Sequence, residues 1–272
     1  PRDGLQNQKR IIPLMDKIRL VDMLSDCGFE KIETGSFVSP KWVPQMADSD
    51  KVMAGIKRRK GVAYTALTPN MRGYAAAVLA GADEVAVFAS ASEGFSKANI
   101  NCSIKESIAR FTPILAAAKA DKIPVRGYIS CITDCPFDGV TPPEQVADLA
   151  AILMDAGCYG VSLGDTIGAA VPETVAAMLH AVLKQVSAVD LAGHFHDTHG
   201  RALGNIGVSL DMGLRVFDAS IGGLGGCPYA PGAAGNVDTL GVVDLLHKRG
   251  FVTGLDVDKL VKTAAFAVGL KG

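Results

Sequence analysis

Two periods alternate along the chain. Short runs of branched and small apolar residues at 29–34, 61–66, 84–89, 124–130, 159–163, 191–196 and 214–219 read as β-strands. Between them, apolar residues recur at helical spacing over 14–27, 50–59, 72–80, 104–120, 142–156, 172–186, 202–212 and 237–248. Strand followed by helix, repeated without a composition break, is the pattern of a parallel sheet joined by helical crossovers, which places the chain in the α/β class. Start and stop signals agree. Ser103 with Glu106, and Thr141 with Glu144 behind Pro142, have capping-box spacing, while Gly28, Gly81, Gly157 and Gly213 stand where helices should end.

That tally is seven strands and eight helices, and the first helix has no strand before it. A (β/α)₈ TIM barrel occupying 1–272 as one catalytic domain therefore predicts a first strand lying N-terminal to Pro1, and the Pro-Arg-Asp-Gly start reads as a loop following it. The competing architecture is an open doubly wound sheet. Against it, no Gly-x-Gly-x-x-Gly run follows the first strand.

Composition narrows the function classes. Hydrophobic residues are 49% of the chain and aromatics 6%, with 30 glycines, the profile of a globular interior of small side chains joined by tight turns. The formal charge is -1, from 27 basic and 28 acidic residues mixed along the chain, so no field for nucleic acid or anionic lipid exists and neither partner is expected. No apolar run approaches the roughly 18 residues of a spanning helix, so no membrane is expected either. The six cysteines, Cys27, Cys102, Cys131, Cys135, Cys158 and Cys227, lack both the density of a disulfide scaffold and the paired spacing of a structural zinc site, and read as reduced thiols of which four are packing.

Polar residues gather just after the C-terminal ends of the predicted strands, where parallel barrels build their sites. In His194-Phe195-His196, strand alternation sends both imidazoles to one face and Phe195 to the other, so the pair is able to grip one cation. The plainer alternative, two hydrogen-bonded histidines at a strand end, has equal weight for the motif alone. Asp3 supplies a carboxylate and Asn236 an amide oxygen, which favours a metal; oxygen with nitrogen ligands fits Mg²⁺ or Mn²⁺ better than zinc. Arg2, beside Asp3, suits stabilisation of an enolate oxygen, against the alternative of a surface ion pair. The glycine-rich stretch 222–236 is a segment able to close over a ligand, and it holds Cys227, a proton-exchanging thiol or a small packing residue. Asp165 in Ser-Leu-Gly-Asp-Thr-Ile-Gly and Glu33 in Ile-Glu-Thr-Gly-Ser each compete with capping or turn roles. Asp197, His199 and Arg201 read as supporting or helix-start residues, His180 and His247 as structural.

Five segments together carry a resemblance: Pro-Arg-Asp-Gly-Leu-Gln, Ser-Phe-Val-Ser-Pro-Lys-Trp-Val-Pro-Gln-Met-Ala-Asp, Ser-Glu-Gly-Phe-Ser-Lys-Ala-Asn-Ile-Asn-Cys-Ser, Ser-Leu-Gly-Asp-Thr-Ile-Gly and Gly-Leu-Gly-Gly-Cys-Pro-Tyr-Ala. The chain resembles the 3-hydroxy-3-methylglutaryl-CoA lyase family over nearly its whole length, and the cysteine loop is the most specific piece. The resemblance implies Asp3, His194, His196 and Asn236 at the metal, and Arg2, Glu33, Asp165, His194 and Cys227 as catalytic or substrate-contacting. It implies an acyl-CoA substrate cleaved to acetyl-CoA and acetoacetate, as in leucine degradation, and a homodimer by analogy. Phe195 stands where animal relatives carry cysteine, and His199 and Arg201 where they carry tyrosine and glutamine. With no cysteine-bearing tail after Leu-Lys-Gly, tail-thiol regulation is not expected and a bacterial, cytoplasmic protein is; the mitochondrial matrix is the expectation for a eukaryotic one. The alternatives are a lyase for another 3-hydroxy-acyl-CoA, a Claisen-type acyltransferase on the same barrel, and a non-catalytic CoA or metal binder.

Overall fold

The computed structural model describes residues 1–226 and 235–271. They fall into two compact units, one made of Pro1–Val85 with 219–226 and 235–271, the other of Ala86–Asp218.

The first unit opens on α1 (Arg2–Gln6), where composition predicts a loop. The Pro1 carbonyl accepts from the Leu5 N–H and Asp3 lies in the first turn, where a carboxylate suits the helix dipole. One turn is too short to show a hydrophobic period, so the sequence pattern misses it. Then come α2 (Leu14–Ser25), β1 (Lys31–Ser36), α3 (Ser49–Gly55), β2 (Ala63–Leu67) and α4 (Met71–Leu79). Helix α2 buries Ile18, Val21 and Leu24 on one face, the i, i+3 repeat of an amphipathic helix. Strands β1 and β2 pair in parallel from Lys31↔Ala63 to Ser36↔Leu67, with an irregularity between Glu33 and Gly35 that re-aims the strand end beside a candidate site residue. Gly35 is required there, because an added Cβ would lie 2.7 Å from Ser49 Cβ.

Strand β3 (Glu84–Ser90), buried along nearly its whole length, crosses into the second unit. That unit continues through α5 (Glu93–Ile100), α6 (Ile104–Asp121), β4 (Val125–Ser130), a hairpin of β5 (Asp134–Cys135) and β6 (Gly139–Val140), α7 (Pro143–Asp155), β7 (Gly160–Asp165), α8 (Pro172–Val182), β8 (Leu191–Phe195), α9 (Ala202–Asp211) and β9 (Val216–Asp218). Strands β4, β7, β8 and β9 pair side by side in that order, every pair parallel. The chain then returns to the first unit with α10 (Thr239–Lys248) and α11 (Val257–Gly269), whose Phe266 ring lies 4.6 Å beneath the Arg19 guanidinium of α2.

All the expected strands and helices are present, and α1, α5, α11 and the β5–β6 hairpin are additions. The Ser103–Glu106 capping box forms in both directions. The Thr141–Glu144 box does not: α7 takes Pro142 as its N-cap, which moves the register by one residue, and the buried Thr141 hydroxyl has no partner among the described residues. Gly157 (φ 110°) and Gly213 (φ 100°) end their helices in the left-handed region as expected, and Gly28 and Gly81 do the same. No described helix is long and apolar enough to cross a membrane.

Candidate active site

In the first unit, α1 turns Arg2 inward until its side chain is 8% exposed, which removes the surface-ion-pair alternative. Its Nε donates to Glu33 Oε2 at 2.8 Å, and one terminal nitrogen donates to Asp3 Oδ1 at 2.8 Å. The other oxygen of Asp3 accepts from Asn236 Nδ2 at 2.7 Å. Asn236, 4% exposed, also donates from Nδ2 to the Leu224 carbonyl at 3.1 Å. With its nitrogen committed twice, its carbonyl oxygen is the end turned elsewhere, as a metal-site role requires. Gly225 makes this approach feasible: its φ is +134°, and an added Cβ would lie 2.5 Å from Asn236 Nδ2. Arg2, Asp3, Glu33 and Asn236 thus form one polar cluster in which Arg2 and Asn236 are buried and the two carboxylates half-buried. Cys227 lies outside the described residues.

In the second unit, alternation along β8 works as the sequence predicts. Phe195 is 2% exposed on one face, and the rings of His194 and His196 face the other with centroids 5.5 Å apart. His194 Nδ1 lies 3.4 Å from Asp218 Oδ2 at the end of β9. Asp218 also accepts from Arg126 of β4 at 2.8 Å and from the Ser162 hydroxyl of β7 at 2.6 Å. Burial alone would raise the Asp218 pKa, but Arg126 and the His194 and Ser162 hydrogen bonds overcome that and hold it well below the usual carboxylate range. Sequence reasoning missed Asp218, Arg126 and Ser162. The available signal was charge inside apolar strands: Arg126 in Val-Arg-Gly-Tyr-Ile-Ser and Asp218 after Val216-Phe217.

Asp165, 1% exposed, contrasts with Asp218. Its two oxygens accept the N–H groups of Ala169 and Ala170 at 3.1 and 3.3 Å, so a turn-acceptor role is real. Burial outweighs those bonds and pushes its pKa up to about 6. Asp197 accepts from the Ala202 N–H as a helix-start residue, and His180, His199, Arg201 and His247 are exposed. Cys27, Cys102, Cys131, Cys135 and Cys158 are free buried thiols, and burial drives Cys131 and Cys158 to about 12, which suits packing residues.

His194 and His196 of the second unit each offer a ring nitrogen, and Asp3 of the first unit offers a carboxylate oxygen. The donor chemistry fits a divalent cation that accepts oxygen and nitrogen together, and a carboxylate on the far nitrogen of an imidazole is the support that metal-bound histidine takes.

A family model described as HMGL-like matches residues 1–267. The chain belongs to that family. The HMGL-like chain is 57% identical over 261 residues to the 3-hydroxy-3-isohexenylglutaryl-CoA/hydroxy-methylglutaryl-CoA lyase of Pseudomonas aeruginosa, covering 96% of this chain and 87% of that one. Its fold superposes on the HMG-CoA lyase of Brucella melitensis with TM-score 0.98 at 62% identity, covering 99% and 95% of the two chains. It superposes with TM-score 0.95 at 38% identity on an HMG-CoA lyase from Acenitobacter baumannii in complex with coenzyme A and 3-methylmalate, covering 100% and 89%. The fold of the HMGL-like chain is therefore the (β/α)₈ TIM-barrel fold of its family.

Proposed function

We propose that this chain is a hydroxymethylglutaryl-CoA lyase that cleaves 3-hydroxy-3-methylglutaryl-CoA to acetyl-CoA and acetoacetate with Mg²⁺ or Mn²⁺ as cofactor. Its near full-length similarity to lyases of that name carries the reading. The cluster around Arg2 supports it, because the oxygens of Asp3 and Glu33, oriented by Arg2 and Asn236, are the donor type that Mg²⁺ and Mn²⁺ take.

Asp3, His194, His196 and the carbonyl of Asn236 are the residues assigned to the metal. A bound divalent cation supplies Lewis acidity toward the hydroxyl and carboxylate oxygens of the substrate. The chain's own groups do the rest. A base takes the hydroxyl proton, the carbon–carbon bond breaks, and its electron pair passes into the thioester to give the enolate of acetyl-CoA, which is then protonated at carbon. Asp165, poised at about pH 6, is suited to exchange a proton near neutrality. The Arg2 guanidinium, fixed by Asp3 and Glu33, suits the developing enolate oxygen without having to reorganise. Cys227 is assigned to proton delivery at carbon.

A second substrate is favoured by the Pseudomonas aeruginosa relative, which is a 3-hydroxy-3-isohexenylglutaryl-CoA as well as a hydroxy-methylglutaryl-CoA lyase. The test is release of acetoacetate from 3-hydroxy-3-methylglutaryl-CoA by metal-depleted protein before and after Mg²⁺ or Mn²⁺ is restored, beside a Cys227→Ala variant. The expected result is metal-dependent release that falls at least about 100-fold in the variant. Absence of release with metal bound contradicts the substrate assignment, and turnover of the isohexenyl substrate alone would replace it.

A further inference from the structure

Three groups on separate strands converge on Asp218. Arg126 donates to Oδ1 at 2.8 Å, while the Ser162 hydroxyl, 2.6 Å away, and His194 Nδ1, 3.4 Å away, share Oδ2. The side chains of Arg126 and Asp218 are 12% and 24% exposed, so this ion pair is partly shielded from water. Strand pairing sets the register: His194 is the Cα partner of Asp218 across β8 and β9.

We propose that Asp218, clamped by Arg126 and Ser162, is a positioning residue that keeps the hydrogen of neutral His194 on Nδ1 and so presents Nε2 as the ligating atom. The inference rests on the assignment of His194 to the metal. A carboxylate only accepts, so the nitrogen facing it must carry the hydrogen, and the opposite nitrogen keeps its lone pair. Arg126 has the complementary task of deciding which oxygen meets His194, because its donor holds Oδ1 and leaves Oδ2 for the ring. It acts on His194 through Asp218, the carboxylate that both groups face.

The arrangement predicts an unusual result for a nearly isosteric change. In Asp218→Asn, Arg126 retains the amide oxygen at the Oδ1 position, which places the NH₂ where Oδ2 was. That group donates to Ser162 and to His194 Nδ1. The hydrogen of His194 must then move to Nε2, and the ligating lone pair is lost. Asp218→Ala removes the guide without enforcing the wrong tautomer. A merely structural role predicts the reverse order, with alanine the more damaging.

The experiment has two readouts. In metal-free wild-type protein labelled with ¹⁵N-histidine, the neutral His194 ring is expected as the Nδ1–H tautomer, and in Asp218→Asn as Nε2–H; this needs no turnover. Titration with Mn²⁺, following the free-ion resonance, is expected to show affinity roughly 10–100-fold weaker in Asp218→Asn, with Asp218→Ala between it and wild type. An Nε2–H tautomer in the wild type overturns the inference even if the variants fail to fold. Unchanged Mn²⁺ affinity in Asp218→Asn beside a large loss in His194→Ala overturns it too, while leaving the metal assignment standing. Unchanged affinity in His194→Ala instead removes the reading on which it rests.

Discussion

The two charge clusters are arranged in opposite senses. Around Arg2 a single cation is flanked by the carboxylates of Asp3 and Glu33, with Asn236 on the far oxygen of Asp3. Around Asp218 a single carboxylate is surrounded by donors, from Arg126, Ser162 and His194. The first cluster sets two carboxylates about one guanidinium. The second pairs one carboxylate with one guanidinium, and its three bonds orient that carboxylate toward His194. On the proposed reading the difference separates chemistry from scaffolding: the first cluster serves the reaction, and the second holds a metal-binding side chain still.

Cutting each cluster at its centre gives the largest contrast. Arg2→Gln is expected to lower kcat by about 100–1000-fold, the usual loss for one donor to a transition-state oxyanion. It should leave Mn²⁺ affinity within about 10-fold of wild type, because Asp3 remains anchored by Asn236. Steady-state kinetics beside Mn²⁺ titration checks this, and loss of metal affinity matching the loss of kcat would erase the distinction from Asp218→Asn.

A second contrast lies between carboxylates with and without a cation. Asp165 has no counter-ion among its bonds, and burial raises its pKa from 3.8 to about 6; Asp218, with Arg126, is depressed. The signs follow by linkage. Asp165 carries no penalty below the unfolded value, and as pH rises through about 6 its forced ionisation destabilises the fold. That cost is on the order of 3 kcal/mol by pH 7, with little solvent screening at so buried a site. The contribution of Asp218 runs the other way, present above pH 3.8 and lost as pH falls through its depressed folded value. Denaturant unfolding of wild type and Asp165→Asn at pH 4.5 and 7 should show the wild type losing ground to the variant as pH rises, and a constant gap would refute the burial account. The smallest effect is expected from Ser162→Ala, which removes one hydroxyl from Asp218 and should cost about 1–2 kcal/mol with at most a few-fold change in Mn²⁺ affinity.

Legibility in the sequence followed the range of the interactions. The strands and most helices were readable because period is local, and the His194–Phe195–His196 pattern gave the facing of both imidazoles before any fold was known. Arg2, Asp3, Glu33 and Asn236 were identifiable as candidates, yet not as one cluster, since Asp3 and Asn236 are 233 residues apart. The support of His194 was invisible for the same reason: Arg126 and Asp218 are separated by 92 residues, and each alone looks like a stray charge in a strand. Helix α1 escaped because one turn has no period, whereas α11 was overlooked although its buried face of Leu260, Thr263, Ala264 and Ala267 repeats at helical spacing. Thr141 misled because a capping pattern fixes spacing but not which residue starts the helix.

The central claim, that one divalent cation is held by Asp3 and both histidines, is tested most directly by pulsed EPR of the Mn²⁺-loaded protein. Two directly bound imidazole nitrogens are expected in the nuclear modulation, one disappearing in His194→Ala and the other in His196→Ala, with Asp3→Ala weakening Mn²⁺ binding. A spectrum without directly coupled imidazole nitrogen, unchanged in both histidine variants, would contradict the account.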